Sequence, residues 1–265
     1  MDWDADMNVE QVGDSSFTAT VGDHWSSLQG AHGGVVAALA VRSAQQTLAG
    51  LGIESNTTLR AATFGYASGN VPGDLTIDVD VIRRGRTMVT AHATVAQNGK
   101  STTLGRLHFA APWDGVEFSD APAPPQRPAE LVRLDQNARV THLNNVETHL
   151  DATSVPFSGA ERGEWRAWCR PHHGGTFDAT WLTMFGDYFP PAVFARLSGP
   201  SRAVTIEYSI QIHSAAGQWS IADNELMPAR MHVFHSHDGF AVEDGWIWLP
   251  NGELLATVRQ TRLAG

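Results

Sequence analysis

The chain has one cysteine, Cys169, so it forms no internal disulfide and builds no cysteine-rich zinc cluster. Its longest uninterrupted apolar run, Val35 to Val41, is seven residues, against the roughly 18–20 that a membrane-crossing helix needs. Basic residues are scarce. Lys and Arg number 18 against 28 Asp and Glu, a formal charge of −10, which disfavours nucleic acid and anionic lipid surfaces as partners. Asp2, Asp4 and Asp6 stand where a secretory leader needs basic residues and then an apolar stretch, so a cytoplasmic protein is expected. Neither a Gly-x-Ser-x-Gly elbow nor a Gly-x4-Gly-Lys-Ser/Thr phosphate loop occurs, which argues against serine hydrolases and nucleotide hydrolases. What is present suffices for a core: 42% of the 265 residues are apolar and only 17% charged, a globular composition.

The two halves of the chain echo each other. His32-Gly33-Gly34 and His173-Gly174-Gly175 each open an apolar stretch and lie 141 residues apart, while the turn pairs Asn98-Gly99 and Asn251-Gly252 lie 153 apart. Between them, the segment from Pro112 to Pro128, with Pro122, Pro124 and Pro125, suits neither a sheet nor a helix interior. The expected division is a first repeat over residues 1–111, a linker over 112–136 and a second repeat over 137–265.

Each repeat reads as a helix followed by strands. Residues 35–48 are apolar on nearly every face apart from Arg42 and Gln45-Gln46, which describes a helix buried on most of its circumference, stopped by Gly50 and Gly52. Leu75, Ile77, Val79 and Val81 then alternate with polar residues as one face of a strand. Residues 87–97 and 102–109 meet across Asn98-Gly99, a dipeptide suited to a type I′ hairpin. In the second repeat, residues 176 to about 189 predict the matching helix, disturbed by Pro190-Pro191. Val204, Ile206, Tyr208, Ile210 and Ile212 predict a buried strand face, with Thr205, Glu207, Ser209, Gln211 and His213 on the other. Residues 240–249 and 253–263 close the repeat as a hairpin. A buried helix beside antiparallel strands packs with the sheet curled around it.

Several stretches resemble the type II acyl-CoA thioesterases: residues 30–34 (Gly-Ala-His-Gly-Gly), 186–191 (Gly-Asp-Tyr-Phe-Pro-Pro), 205–213 and 251–260. The resemblance runs in order from about residue 17 to the C-terminus. It implies an α+β double hot-dog fold, two tandem repeats each wrapping an antiparallel sheet around a helix, and hydrolysis of fatty acyl-CoA to free acid and CoA. It also implies no cofactor or metal and further self-association into a homo-oligomer. The family's catalytic Asp, Thr and Gln fall on Asp187, Thr205 and Gln260. Gln211 departs from the family's aromatic at that position, and Pro190-Pro191 follow Asp187 unusually closely, which bears on the acyl pocket.

The chemistry suits these residues. A thioester is activated enough for direct attack by water, provided the water is oriented and charge on the carbonyl oxygen is accepted. Asp187 would hold or deprotonate the water, with Thr205 and Gln260 completing its hydrogen bonds. The backbone N–H groups of Gly33-Gly34, or of Gly174-Gly175, would serve the oxyanion as helix N-termini. Gln260 ends the stripe Leu254, Ala256, Val258, and a polar amide on a buried face needs partners; a core Gln bonded to backbone is the plain alternative. Asp187 could equally be a turn residue, yet near a helix C-terminus a carboxylate opposes the dipole and needs compensation. Arg83, Arg84 and Arg86 form the densest basic group, suited to the phosphates of CoA or simply a solvated turn.

Other groups read as ordinary. An extended strand points His232 away from His235 and His237, so no metal site is expected, and Cys169 reads as a buried small residue. The first repeat looks degenerate: at the two offsets Asp187 corresponds to Gln46 and Gln260 to Leu107. Two rival functions stay open, a hot-dog hydratase or dehydratase using His173 and Asp178, and a non-catalytic acyl-CoA binding module.

Overall fold

The protein was analysed as a computed structural model, which describes residues 2–53, 56–134, 140–171, 176–214 and 216–265. His172, His173, Gly174 and Gly175 lie outside the described residues. Among the described residues thirteen strands form one sheet: β1 (Glu10–Gln11), β2 (Ser16–Val21), β3 (Thr58–Tyr66), β4 (Gly73–Arg84), β5 (Met88–Gln97), β6 (Lys100–Ala110), β7 (Leu131–Arg133), β8 (Val146–Asp151), β9 (Gly163–Pro171), β10 (Ala203–Ile212), β11 (Met227–His237), β12 (Phe240–Trp248) and β13 (Leu254–Ala264). Their order is β1-β2-β4-β5-β6-β3-β10-β13-β12-β11-β9-β8-β7. The halves join where β3 pairs antiparallel with β10, centred on Thr63 opposite Ser209.

Helix α1 (Gly33–Gly50) is the expected apolar helix. Twelve of its eighteen residues are buried, against both the sheet and helix α2 (Ala179–Gly186). Ser43 and Thr47 donate to the carbonyls of Leu39 and Ser43 one turn back, so their hydroxyls are buried without loss. Leu75, Ile77 and Val79 face this core as expected, and Asn98 and Gly99 take the positive φ values, 52° and 74°, that a type I′ turn requires.

Three expectations are corrected. The second helix does not span 176–189: Thr176–Asp178 pairs as a strand with Gln218–Ser220. Asp178 caps the helix by accepting from Trp181 N at 2.9 Å, and α2 ends at Gly186 with Asp187 as its C-cap. Within the expected linker, Leu131–Arg133 is a strand paired with β8, whereas residues 111–128 carry no regular structure. The third correction is the phase of β10. A bulge between Thr205 and Glu207 inserts one residue, so Tyr208, Ile210 and Ile212 are buried as expected while Val204 is 38% exposed. Thr205 thereby turns to the inner face.

Gly186 has a packing reason. A Cβ there would meet the Tyr208 hydroxyl and, at 2.8 Å, Val258 Cγ1. Gly186→Ala is expected to cost about 1–3 kcal/mol through overpacking, read as a lowered midpoint in urea unfolding.

Candidate active site

Four elements bring the site together: the C-terminal end of α2, the N-terminal end of α1, the start of β10 and the end of β13. Thr205 stands directly opposite Arg262 and Tyr208 opposite Gln260 in the β10–β13 ladder. Gln260 and Arg262, two residues apart, share the inner face of β13, and both are buried. Thr205 Oγ1 lies 3.0 Å from Gln260 Oε1 and 3.4 Å from Asp187 Oδ1. Gln260 Nε2 donates to the Gly186 carbonyl at 3.2 Å, and Arg262 Nη1 donates to Thr205 Oγ1 at 2.7 Å. The single Thr205 proton cannot serve both Gln260 and Asp187; the shorter contact is to Gln260, which leaves Asp187 Oδ1 available to another donor.

Asp187 is 7% exposed. Burial raises its carboxyl from 3.8 to about 6, opposed by the nearby Arg262 guanidinium, by Thr205 and by the backbone N–H of Gly34. Arg262 is the main compensation, with the end of α1 adding to it. The carboxylate ends α2, an unfavourable place, but it abuts the N-terminus of α1, whose unpaired N–H groups favour negative charge. A Cβ on Gly33 would lie 2.9 Å from Asp187 Oδ2, and one on Gly34 3.1 Å from Asp187 Cβ; the paired glycines let the two helix ends touch. Gly33 and Gly34 therefore stand against Asp187.

His32 and His142 stack at 4.4 Å beside the site. Burial lowers them to about 4 and about 3, so both are neutral near pH 7. His32 Nε2 donates to the Asp187 backbone carbonyl at 3.1 Å; it holds the loop rather than the carboxylate.

The arginine cluster is not brought to this place. Arg83, Arg84 and Arg86 are exposed, and Arg84 donates to the Leu51 carbonyl just past the C-terminus of α1. The eighteen residues of α1 put that end about 27 Å from Gly33 at about 1.5 Å per residue. Two clefts, of 520 and 320 Å³, also lie at that far end, lined by Arg42, Gln45, Phe109 and Asp178 and by Arg84 and Arg86 respectively. Among the described residues no group of His, Cys, Asp and Glu has a metal-holding arrangement, and Cys169 is buried with its thiol raised to about 12.

Register explains why one end carries the polar set. The bulge at Leu59 to Ala61 in β3 matches that in β10, so Leu59↔Phe109 and Ala62↔Leu107 correspond to Thr205↔Arg262 and Tyr208↔Gln260. Likewise Ala91↔Leu107 corresponds to Glu243↔Gln260. Polar Thr205, Gln260, Arg262 and Glu243 are thus replaced in the first half by buried Leu59, Leu107, Phe109 and Ala91. Gln46, expected opposite Asp187, is exposed; Gln45 turns inward instead and accepts from Thr180, because helices of eighteen and eight residues do not keep one offset.

Arg262 and Glu243 escaped sequence reading. Continuing the Gln260 stripe by two residues reaches Arg262, but nothing local shows its partner. Arg262 Nη2 meets Glu243 Oε1 at 3.1 Å, both side chains being buried, and Glu243 also accepts the N–H of Ala192 after the two prolines. Glu243→Gln is expected to cost about 3–5 kcal/mol by stranding the guanidinium, and Glu243→Leu with Arg262→Leu together much less; a double-mutant cycle of urea unfolding measures this.

A continuous sheet holding two helices against one face, joined at β3–β10, is a double hot-dog fold. It is similar to a conserved protein of unknown function with a hot dog fold from Alicyclobacillus acidocaldarius, 19% identical over 99% of this chain and 97% of that one, with a TM-score of 0.85. It is also similar to the acyl-CoA thioesterase II TesB2 of Mycobacterium marinum, at 17% identity, 100% and 97% coverage and a TM-score of 0.77. A tesB protein of Mycobacterium avium subsp. paratuberculosis is similar at 18% identity, 98% and 97% coverage and a TM-score of 0.75. No curated protein matches the chain. The family model of the acyl-CoA thioesterase N-terminal domain matches residues 21–110, and that of the C-terminal domain matches residues 116–264. The chain belongs to the acyl-CoA thioesterase family and is a thioester hydrolase.

Proposed function

We propose that the chain hydrolyses fatty acyl-CoA with Asp187 as general base, Thr205 and Gln260 as the residues that aim the water, and Arg262 as the group that holds Thr205. The observation that carries this reading is the convergence of Thr205 on both Gln260 and Asp187 around a carboxylate of pKa about 6. A base poised near neutrality is ionised at working pH yet still accepts a proton. Water gives its proton to Asp187 as its oxygen bonds the acyl carbon; collapse breaks the C–S bond, and the departing thiolate recovers the proton.

The hydratase alternative is less well supported. Asp178 is committed to capping α2 and to Thr180 at 3.2 Å, and His173 lies outside the described residues.

Free-thiol release from straight-chain acyl-CoA thioesters tests the proposal. Asp187→Asn is expected to lower kcat by about 10²–10⁴-fold, and wild-type turnover in that variant would remove the base. The wild-type kcat/KM should rise with pH through about 6, and Arg262→Gln should move that limb to higher pH by deleting the cation that favours the carboxylate. Stability carries the opposite sign. Because folding raises the Asp187 pKa, the unfolded chain ionises first and stability falls as pH rises from about 4 to about 6. Asp187→Asn should therefore raise Tm above pH 6, by at most about 3 kcal/mol in stability.

A further inference from the structure

The chain has three tyrosines, and two of them are satisfied. Tyr188 Oη donates to the Leu143 carbonyl at 3.0 Å and Tyr208 Oη to the Thr183 carbonyl at 2.8 Å. Tyr66 Oη is also buried, yet has no hydrogen-bond partner among the described residues. A buried hydroxyl without a partner is a cost to folding, and this one stands beside the candidate base. The point where a Gly33 Cβ would sit is 2.9 Å from Asp187 Oδ2 and 3.2 Å from Tyr66 Oη, so the two oxygens lie within about 6 Å of each other across the Gly33 backbone. Burial and the Asp187 charge raise the Tyr66 pKa well above 10, so the hydroxyl keeps its proton and remains a donor.

We infer that Tyr66 is a further catalytic residue, whose hydroxyl donates to the carbonyl oxygen of the bound thioester and stabilises the oxyanion as water adds. The inference rests on Asp187 acting as the base. The oxyanion needs a donor, and Tyr66 brings an unpartnered hydroxyl to within about 6 Å of Asp187 from the end of β3, in the other half of the chain. The electrons balance without moving the tyrosine proton. As the water oxygen bonds the acyl carbon and its proton passes to Asp187, the C=O pair shifts onto oxygen and tightens the Tyr66 hydrogen bond. When the C–S bond breaks, the carbonyl re-forms and the hydrogen bond relaxes.

Tyr66→Phe removes only the hydroxyl oxygen. The expected result is a fall in kcat of about 10²-fold, as for loss of one oxyanion donor, with KM changed little and Tm equal to or above wild type because no partner is lost. An S-alkyl-CoA thioether, which lacks the carbonyl, should bind both proteins equally. Wild-type kcat in Tyr66→Phe, with Asp187→Asn inactive, overturns the inference alone; a fall in kcat accompanied by a fall in Tm overturns it in favour of a structural role. Full turnover by Asp187→Asn overturns the base assignment on which the inference rests.

Discussion

A carboxylate buried between two helix ends governs this molecule. Asp187 stands at the C-terminus of α2, where the dipole repels it, and under the N-terminus of α1, where the dipole and the Gly34 N–H attract it. Arg262 adds a cation, and burial subtracts more than these return, so the group settles near pH 6 instead of near 4. Much nearby structure serves that placement. Gly33 and Gly34 let the helix ends meet, His32 pins the Asp187 carbonyl, and the Glu243–Arg262 pair fixes Thr205.

The site belongs to both halves. Asp187, Thr205, Gln260 and Arg262 come from the second, while Gly33, Gly34 and Tyr66 come from the first, brought in by the antiparallel join of β3 to β10. Equivalent ladder positions at the other end hold Leu59, Leu107, Phe109 and Ala91. An apolar cluster there costs no desolvation and strengthens the core, whereas burying the polar set in the second half carries a desolvation cost. The duplicated fold thus holds two different side-chain sets on one backbone pattern, down to a matching bulge in each central strand.

Much of this was legible because it depends on short-range pattern. The apolar wrap of residues 35–48, the alternation through Leu75, Ile77 and Val79, and the Asn98-Gly99 turn follow from periods and φ preferences that each segment carries itself. Gln260 was legible as a polar end to a buried stripe. Thr205 was found only through family resemblance; its alternation pattern put it on the wet face, and one inserted residue at the bulge reversed that. The start of α2 was misplaced because Thr176–Asp178 finds a strand partner in Gln218–Ser220, far along the chain.

The sequence by itself determined two apolar helices and the antiparallel strands beside them, since local hydrophobic period and turn chemistry suffice for those. Only the tertiary structure decided that α1 would abut the charge of Asp187, that Arg262 would be neutralised by Glu243, that Tyr66 Oη would be buried near Asp187 without a partner among the described residues, and that Arg83, Arg84 and Arg86 would lie at the other end of α1. Each of these depends on contacts between residues far apart in the chain, such as the β12–β13 register that sets Arg262 near Glu243 and the β3–β10 join that brings the two halves together, and electrostatics and hydrogen bonding respond to those distances rather than to spacing along the chain.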